Sequence, residues 1–166
     1  MERRETRQLT LGNDHTGIVR IGGDAPVSVQ TMTSGYTHDI DGCVAEINRL
    51  AGAGADIVRV AVPKRADTEA LSEILNQTRV PIVADVHFHY QRALEAVEAG
   101  VHKIRLNPGN IDDREQVDRV IDACAERSLP IRIGVNEGSI IERKDKKRRM
   151  EELGKFFADH RDGHLM

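Results

Sequence analysis

Arginine recurs within short apolar segments of the chain, as Arg59, Arg105 and Arg132. Guanidinium groups bind phosphate oxygens in pairs, and a buried charge without a partner costs several kcal/mol. We therefore predict that the three arginines converge on an anion, and that a diphosphate suits them better than a single carboxylate. The alternative is an internal salt-bridge network that ties the strands together, although we expect Asp85 to neutralise at most one arginine.

A carboxylate and an imidazole lie two residues apart in the segment VADVHFHY, as Asp85 and His87. Residues two apart on a strand share a face, so this pair is a candidate for acid/base catalysis or for orienting a ligand. His89 has the same parity, but it lies further into the loop and is expected to be solvated. The same spacing would also suit a metal ion, but no third ligand is evident, and we predict no metal site.

Three amide side chains complete the candidate binding set. Gln30 shares the polar parity of the first strand, while Asn107 and Asn136 each end a strand and open a glycine-containing loop, NPGN or NEGS. Backbone amides in such loops bind phosphate, which predicts a substrate-binding role for Asn107 and Asn136. For Gln30 the same role is predicted from its parity alone. The alternative for the asparagines is that they only stabilise the turns.

Short strands that alternate with amphipathic helices must position these residues. The predicted strands are Val27–Met32, Ile57–Val62, Ile82–Val86, Lys103–Leu106 and Ile131–Val135. The predicted helices are Cys43–Leu50, Asp67–Leu75, Gln91–Glu98 and Glu115–Arg127, followed by a charged helix from Ile140 onward. Along each strand, every second residue is apolar and should face the helices. The residues between them include the polar side chains named above, which are predicted to fall in the second half of each strand.

Successive strand–helix units predict parallel strands with crossover helices. No glycine fingerprint for a dinucleotide follows the first strand, which favours a barrel over an open doubly wound sheet. The predicted fold is an α/β (β/α)8 TIM-type barrel, truncated after about five strand–helix units, with residues 1–166 as its N-terminal part. A barrel's active site lies at the carboxyl ends of its strands, where the polar set falls.

Composition excludes several other classes of protein. The 166 residues carry a net charge of −3, 3 % aromatic residues and no tryptophan, which argues against nucleic acid and membrane as partners. Cys43 and Cys124 lie far apart in predicted helices, as expected of reduced thiols in a cytosolic protein. With neither a long apolar segment nor a secretory signal, the expected location is the cytoplasm.

Over about residues 3–140, the chain resembles the N-terminal barrel of the 4-hydroxy-3-methylbut-2-en-1-yl diphosphate synthase family. The resemblance is carried by five stretches, PVSVQTMT, GADIVRVAVP, VPIVADVHF, IRLNPGNI and LPIRIGVNEGS. The resemblance implies an oxidoreductase of the methylerythritol phosphate route to isoprenoids. Its substrate would be 2-C-methyl-D-erythritol 2,4-cyclodiphosphate, which is opened by reductive removal of an oxygen. Diphosphate contacts would fall on Arg59, Arg105, Asn107, Arg132 and Asn136, with Asp85 and His87 flanking the substrate.

The resemblance also implies groups that lie outside this chain. The family's 4Fe-4S cluster is held by three cysteines and a glutamate in a C-terminal iron-sulfur domain, which we expect to be absent here. The family forms a homodimer and takes electrons from ferredoxin or flavodoxin. The fragment alone is expected to bind no cofactor and to be inactive.

Two other functions compete with this one. A pterin-binding barrel of the dihydropteroate synthase type would use the same strand ends for a phosphate-bearing pterin. A non-catalytic scaffold would use the arginines as internal ion pairs, so that replacing Arg105 would leave the stability unchanged. The DNA downstream of Met166 would separate these hypotheses, because the family assignment requires three more strand–helix units and a cysteine-bearing domain there.

Overall fold

The computed structural model describes residues 5–87, 89–107, 111 and 113–134. The predicted helix from Ile140 onward, the last part of the fifth predicted strand and Asn136 lie outside these residues. Within them, the chain forms a parallel sheet covered by helices and a separate antiparallel hairpin. None of the described helices is long and apolar enough to cross a membrane.

The elements follow the predicted order, with an additional hairpin at the start. The hairpin strands are β1 (Leu9–Asn13) and β2 (Gly17–Ile21), and the sheet strands are β3 (Gln30–Met32), β4 (Ile57–Ala61), β5 (Ile82–Val86), β6 (Lys103–Leu106) and β7 (Ile131–Ile133). The helices are α1 (Ile40–Gly52), α2 (Arg65–Gln77), α3 (Tyr90–Ala99) and α4 (Arg114–Glu126). The first sheet strand is shorter than predicted, because Val27–Val29 is not part of it.

The sheet has five parallel strands in the order β3-β4-β5-β6-β7, so each strand lies beside its neighbour in sequence. This confirms the α/β class with a parallel sheet and crossover helices. The described strands form an open arc and do not close a barrel. The closed eight-stranded ring therefore remains a prediction.

The two faces of the sheet differ in polarity, as the strand alternation predicted. Val58, Val60, Ile104 and Leu106 are at most 2 % exposed and pack with the helices in the main core. Burial of such side chains contributes roughly 1.5–3 kcal/mol each, so this face determines how the helices lie on the sheet. The opposite parity is consequently left to line the concave interior.

Local sequence signals position the helix ends. Asp39 caps α1, and its carboxylate accepts from the backbone N–H of Gly42 at 3.3 Å. Gly54 and Gly100, which lie just past the ends of α1 and α3, have φ of +99° and +90°. Glycine is favoured there because a side chain strains a left-handed backbone.

The hairpin was not predicted, although the alternating segments LTL and IVRI around NDHTG carry its signal. Gly12 allows the turn, since a Cβ there would lie 2.0 Å from the carbonyl oxygen of Gly17. Leu11 is 1 % exposed and packs against Ile57 and Val83, which belong to the first residues of β4 and β5. The hairpin therefore covers the amino-terminal end of the sheet interior and leaves the carboxyl ends to the polar residues.

A buried histidine holds the hairpin against the sheet. His102 is 8 % exposed, and its Nδ1 accepts from the backbone N–H of Ile82 at 3.0 Å. Its Nε2 lies 3.2 Å from the side-chain nitrogen of Asn13 in the hairpin. Burial, together with the charge of His15, lowers the pKa of His102. The neutral ring is also the form whose Nδ1 accepts the Ile82 bond.

We expect stability to fall as the pH is lowered below about 6.5, the ordinary histidine pKa, because the unfolded chain then binds a proton that folded His102 resists. Above that pH, His102 makes its full contribution to the free energy of unfolding. His102→Ala should lower the free energy of unfolding by about 1–3 kcal/mol, by leaving the Ile82 N–H without its acceptor. It should also flatten the pH dependence between about pH 7.5 and 5.5. Urea unfolding monitored by circular dichroism at several pH values measures both effects. If the free energy of unfolding of the variant depended on pH as that of the unmodified chain does, His102 would not be the group responsible.

Candidate active site at the carboxyl ends of the strands

Asp85 is the centre of a buried ionic cluster on the concave face. Its Oδ1 accepts from Arg105 Nη1 at 2.9 Å, and its Oδ2 lies 3.2 Å from Arg59 Nε. The side chains of Asp85 and Arg105 are only 3 % and 7 % exposed, whereas that of Arg59 is 24 % exposed. One carboxylate thus holds two guanidinium groups, one from each neighbouring strand.

The expectation that Asp85 would neutralise at most one arginine was therefore wrong. A carboxylate has two oxygens, and the parallel register places β4 and β6 on either side of β5, so each oxygen serves a different neighbour. Two guanidinium charges against one carboxylate still leave a formal net charge of +1 in the cluster. Among the described residues of the cluster, internal pairing is therefore accompanied by one formal positive charge in excess.

The contacts of Arg59 are weaker than those of Arg105. Its Nε and Nη2 lie 3.2 and 3.1 Å from the sulfur of Met32, and a thioether is only a weak acceptor. Arg59 is in register with Val83, two residues before Asp85, so it reaches the cluster from closer to the amino-terminal end. Arg105 and Arg132 pair across β6 and β7 and so lie at the same depth, whereas Arg59 does not.

His87 lies beside both members of the Asp85–Arg105 pair. Its Nε2 is 3.4 Å from Arg105 Nη1, and its Nδ1 is 3.7 Å from Asp85 Oδ1. Because a guanidinium only donates, Nε2 accepts and the proton of a neutral ring lies on Nδ1, facing the carboxylate. The side chain is 29 % exposed, so the ring is both oriented by the cluster and accessible to a ligand. His89, in contrast, is exposed, as predicted.

Backbone and amide groups surround Arg105 on the side of β7. Its Nη2 donates to the carbonyl oxygen of Gly134 at 3.1 Å, and a Cβ at Gly134 would lie 3.2 Å from its Nε. Asn107, predicted at the strand end, is 1 % exposed. The carbonyl acceptor and the absence of a side chain at Gly134 allow the guanidinium to lie against this part of the backbone. Asn136, the other predicted amide, lies outside the described residues.

Gln30 and Arg132 do not join the Asp85 cluster. Gln30 is the first residue of β3 and pairs with Ile57, so its predicted place in the second half of its strand was wrong. The reason is that β3 begins three residues later than predicted. Arg132 is exposed, and both residues line a cavity together with Lys103.

The sequence reasoning missed Lys103 as a residue of the interior. It shares the parity of Arg105, two residues earlier on the same strand, and that spacing was the available signal. Lys103 is 4 % exposed. Burial, together with the charge of Arg132, lowers the pKa of Lys103.

The loop between β3 and α1 is anchored beside these strand ends. Glu46 accepts from the backbone N–H groups of Ser34 and Gly35, each at 3.1 Å. Burial opposes ionisation, but these hydrogen bonds and the charge of Arg49 leave the pKa of Glu46 below its ordinary value.

The same loop is also tied to α2. Buried Asp67 accepts from the backbone N–H of His38 at 3.1 Å, and its Oδ1 lies 2.8 Å from His38 Nδ1. The hydroxyl of Thr37 donates to the carbonyl of Ala61 at 2.5 Å, at the end of β4. The loop is therefore held in place over the mouth of the sheet.

The two cysteines lie in helices α1 and α4, as predicted, and both are buried. Burial, with a smaller effect of nearby carboxylates, raises the pKa of Cys43 to about 11, and burial raises that of Cys124 to about 12. Among the described residues, no three His, Cys, Asp or Glu side chains are grouped so as to hold a metal ion. These residues therefore do not fit an iron-sulfur cluster, which needs several ionised thiolates at one point.

Structural comparison shows a common fold with pterin enzymes. The dihydropteroate synthase of Yersinia pestis aligns with a TM-score of 0.59 and 16 % identity, over 91 % of this chain and 55 % of that protein. The Xanthomonas albilineans dihydropteroate synthase aligns with a TM-score of 0.55 and 20 % identity, over 90 % and 57 %. At these identities the likeness concerns the fold alone.

Sequence comparison is more specific. The chain is 53 % identical over 140 residues to a protein of Ruegeria sp. (strain TM1040) named 4-hydroxy-3-methylbut-2-en-1-yl diphosphate synthase (flavodoxin), covering 84 % of this chain and 36 % of that protein. A Gluconobacter oxydans (strain 621H) protein of the same name is 51 % identical, over 84 % and 35 %. The chain thus spans little more than a third of the length of these relatives. The GcpE TIM-barrel domain matches residues 12–157, and the chain therefore belongs to the GcpE family.

Proposed function

We propose that this chain supplies the anion-binding part of a 4-hydroxy-3-methylbut-2-en-1-yl diphosphate synthase, which opens 2-C-methyl-D-erythritol 2,4-cyclodiphosphate reductively. The observation that carries the proposal is the Asp85 cluster, in which two guanidinium groups share one carboxylate at the carboxyl ends of parallel strands. The names of the relatives support the reaction and its diphosphate product.

The cluster is suited to a diphosphate because the arginines are already oriented. Asp85 and the Gly134 carbonyl hold Arg105 in place, so little side-chain entropy is lost when the ligand binds. Arg59 is held partly by a thioether, and exchanging that weak acceptor for a phosphate oxygen costs little. A ligand with several negative charges also neutralises the surplus positive charge. Asn107, Arg132, Gln30 and Asn136 extend this site in the proposed complex.

Asp85 and His87 are the proposed acid/base pair beside the substrate. The Nδ1 proton of His87 faces Asp85, and Nε2, whose contact with Arg105 Nη1 is long at 3.4 Å, would exchange that contact for a substrate oxygen and carry the transferred proton. Asp85 would keep the ring in one tautomer and keep the arginines in place. Proton transfer to the departing oxygen would then occur at the same strand end that binds the diphosphate.

The electrons must come from elsewhere in the complete enzyme. The described cysteines are buried, and no three described His, Cys, Asp or Glu side chains are grouped so as to hold a metal ion, so we derive no reductive step from these residues. The relatives are about three times longer than the matched stretch, and we place the iron-sulfur domain and the dimer contacts of the family in that additional length. We propose flavodoxin as the electron donor, because the names of the relatives include it.

A chimera tests the proposal directly. The matched stretch of this chain would replace the equivalent 140 residues of the Ruegeria relative. We expect the chimera to convert the cyclic diphosphate with reduced flavodoxin at a rate near that of the relative. Arg105→Met in the chimera is the matched control and should abolish turnover. A folded, cluster-loaded chimera that binds no cyclic diphosphate would overturn the proposal.

A further inference from the structure

The sulfur of Met32 lies against the guanidinium group of Arg59. Met32 is the last residue of β3 and pairs with Arg59 on β4, so both side chains belong to the concave face. The Arg59 Nε and Nη2 atoms lie 3.2 and 3.1 Å from the thioether sulfur. Because a thioether is only a weak acceptor, these two N–H groups are held loosely and are easily transferred to a better acceptor.

Met32 is also the sulfur residue that solvent reaches in the described part of the chain. The described residues contain three sulfur atoms, those of Met32, Cys43 and Cys124. The two thiols are buried, and burial raises their pKa to about 11 and about 12, so they lack the thiolate that oxidants attack. Met32 is partly exposed at the carboxyl end of its strand. An oxidant that enters the concave face therefore reacts with Met32 before either cysteine.

Oxidation by a peroxide would change what this sulfur offers to Arg59. A sulfur lone pair attacks one oxygen of hydrogen peroxide, and the S–O bond forms as the O–O bond breaks. The departing hydroxide takes the proton of the new S–OH group and leaves as water, so the sulfur loses two electrons and the peroxide gains them. The product is a polar sulfoxide, whose oxygen is a much stronger hydrogen-bond acceptor than the thioether.

We propose that Met32 is an oxidation site that controls whether Arg59 is available to an anion. In the sulfoxide form, the new oxygen accepts from Arg59 Nε and Nη2. Asp85 Oδ2, which lies 3.2 Å from the same Nε, keeps the guanidinium within the cluster. A ligand oxygen must then displace a strong acceptor instead of a thioether, so oxidation lowers the affinity of the site. The inference deepens the proposed function, on which the choice of a diphosphate as the anion rests.

Phenylglyoxal, which labels guanidinium groups, tests the contact without any ligand. The whole chain would be treated with hydrogen peroxide, which is then removed, and peptide mass spectrometry would report the Met32 sulfoxide and the labelling rate of each arginine. We expect peroxide to slow the labelling of Arg59 by about 5-fold, the effect of one hydrogen bond of ordinary strength. The labelling of exposed Arg20 should not change.

Two results of this labelling would overturn the proposal. One is unchanged labelling of Arg59 in a chain whose Met32 is oxidised. The other is a Met32 that stays reduced while the other three methionines of the chain are oxidised.

Isothermal titration calorimetry with inorganic diphosphate measures the consequence for binding. We expect the oxidised chain to bind about 10-fold more weakly than the reduced chain, because the ligand must displace a strong acceptor from two N–H groups. Methionine sulfoxide reductases with a dithiol should restore the affinity, since the dithiol reduces the sulfoxide to the thioether and yields water and a disulfide. Equal affinities of the reduced and oxidised chains would contradict the proposal.

Two substitutions separate the sulfoxide from other effects of peroxide. Met32→Leu keeps a similar volume without sulfur, so peroxide should change neither its Arg59 labelling nor its diphosphate affinity. Met32→Gln supplies a carbonyl acceptor in place of the sulfoxide oxygen, and should bind about 10-fold more weakly than the unmodified chain without any peroxide. A Met32→Leu chain that responded to peroxide, or a Met32→Gln chain whose Arg59 was labelled as fast as in the unmodified chain, would refute the assignment.

Arg105→Met separates this inference from the proposed function. It removes the best oriented donor for the diphosphate but leaves the contact between Met32 and Arg59. Peroxide should therefore still slow the labelling of Arg59 in this variant. Loss of the peroxide effect in Arg105→Met would show that the Met32 contact does not act on Arg59 by itself. Failure of the chain to bind diphosphate would count against the proposed function, while the Arg59 labelling decides on Met32.

Discussion

Asp85→Asn is expected to lower the free energy of unfolding by about 3–5 kcal/mol, the typical cost of removing one partner from a buried ion pair. Asparagine keeps the size of the side chain but removes the charge. The guanidinium groups of Arg59 and Arg105 would then repel each other in an interior where water screens them poorly. Since domains of this kind are stable by only about 5–15 kcal/mol, the variant should be largely unfolded in mild denaturant.

Urea unfolding monitored by circular dichroism gives this value. Asp122→Asn is the matched control, because Asp122 is exposed on α4 and its replacement should change the free energy of unfolding by less than about 0.5 kcal/mol. If Asp85→Asn were as mild as the control, the carboxylate would not be the element that holds the two arginines inside.

Arg105→Met is expected to weaken the binding of inorganic diphosphate by about 30-fold or more, since losing one charged partner at a buried contact costs roughly 2–5 kcal/mol. Methionine preserves the apolar stem but has no donors, so a ligand oxygen loses its best oriented partner. The fold should survive, because Asp85 retains its contact with Arg59 at 3.2 Å. Isothermal titration calorimetry on the whole chain measures the change.

The control for this second variant is Arg119→Met, which removes an exposed guanidinium that packs over Tyr90. It should bind diphosphate as the unmodified chain does. Equal binding by Arg105→Met and the unmodified chain, with both folded, would show that the arginines form only the internal network considered as the alternative. That result would remove the main support for the proposed function.

Strand alternation was sufficient to predict which side chains share the concave face. Arg59, Asp85 and Arg105 were assigned to one face from parity alone, and the structure confirms it. Parity is determined locally, because successive side chains of a strand must point to opposite faces. The glycine caps at Gly54 and Gly100 were predictable for the same reason, since they depend only on backbone sterics.

Depth within the sheet could not be predicted in this way. Gln30 was predicted too near the carboxyl end of its strand. A strand begins where its backbone first pairs with the neighbouring strand, and β3 first pairs with β4 at Gln30 and Ile57. Lys103 was missed for another reason: its parity places it on the same face as Arg105, but a lysine at the start of a strand gives no sign of its own that it is buried. The hairpin was missed because its strands precede the repeating units that guided the assignment.

The sequence by itself determined the α/β class, the order of the strands, the apolar and polar faces, and membership of the GcpE family. These properties follow from local periodicity and from motifs that are contiguous in the chain. Only the tertiary structure decided which charges meet: Asp85 binds two arginines, and Arg132 lies beside Lys103 instead. Charge pairing depends on the register between strands some 20 residues apart, and register is set by packing and backbone pairing rather than by any short segment.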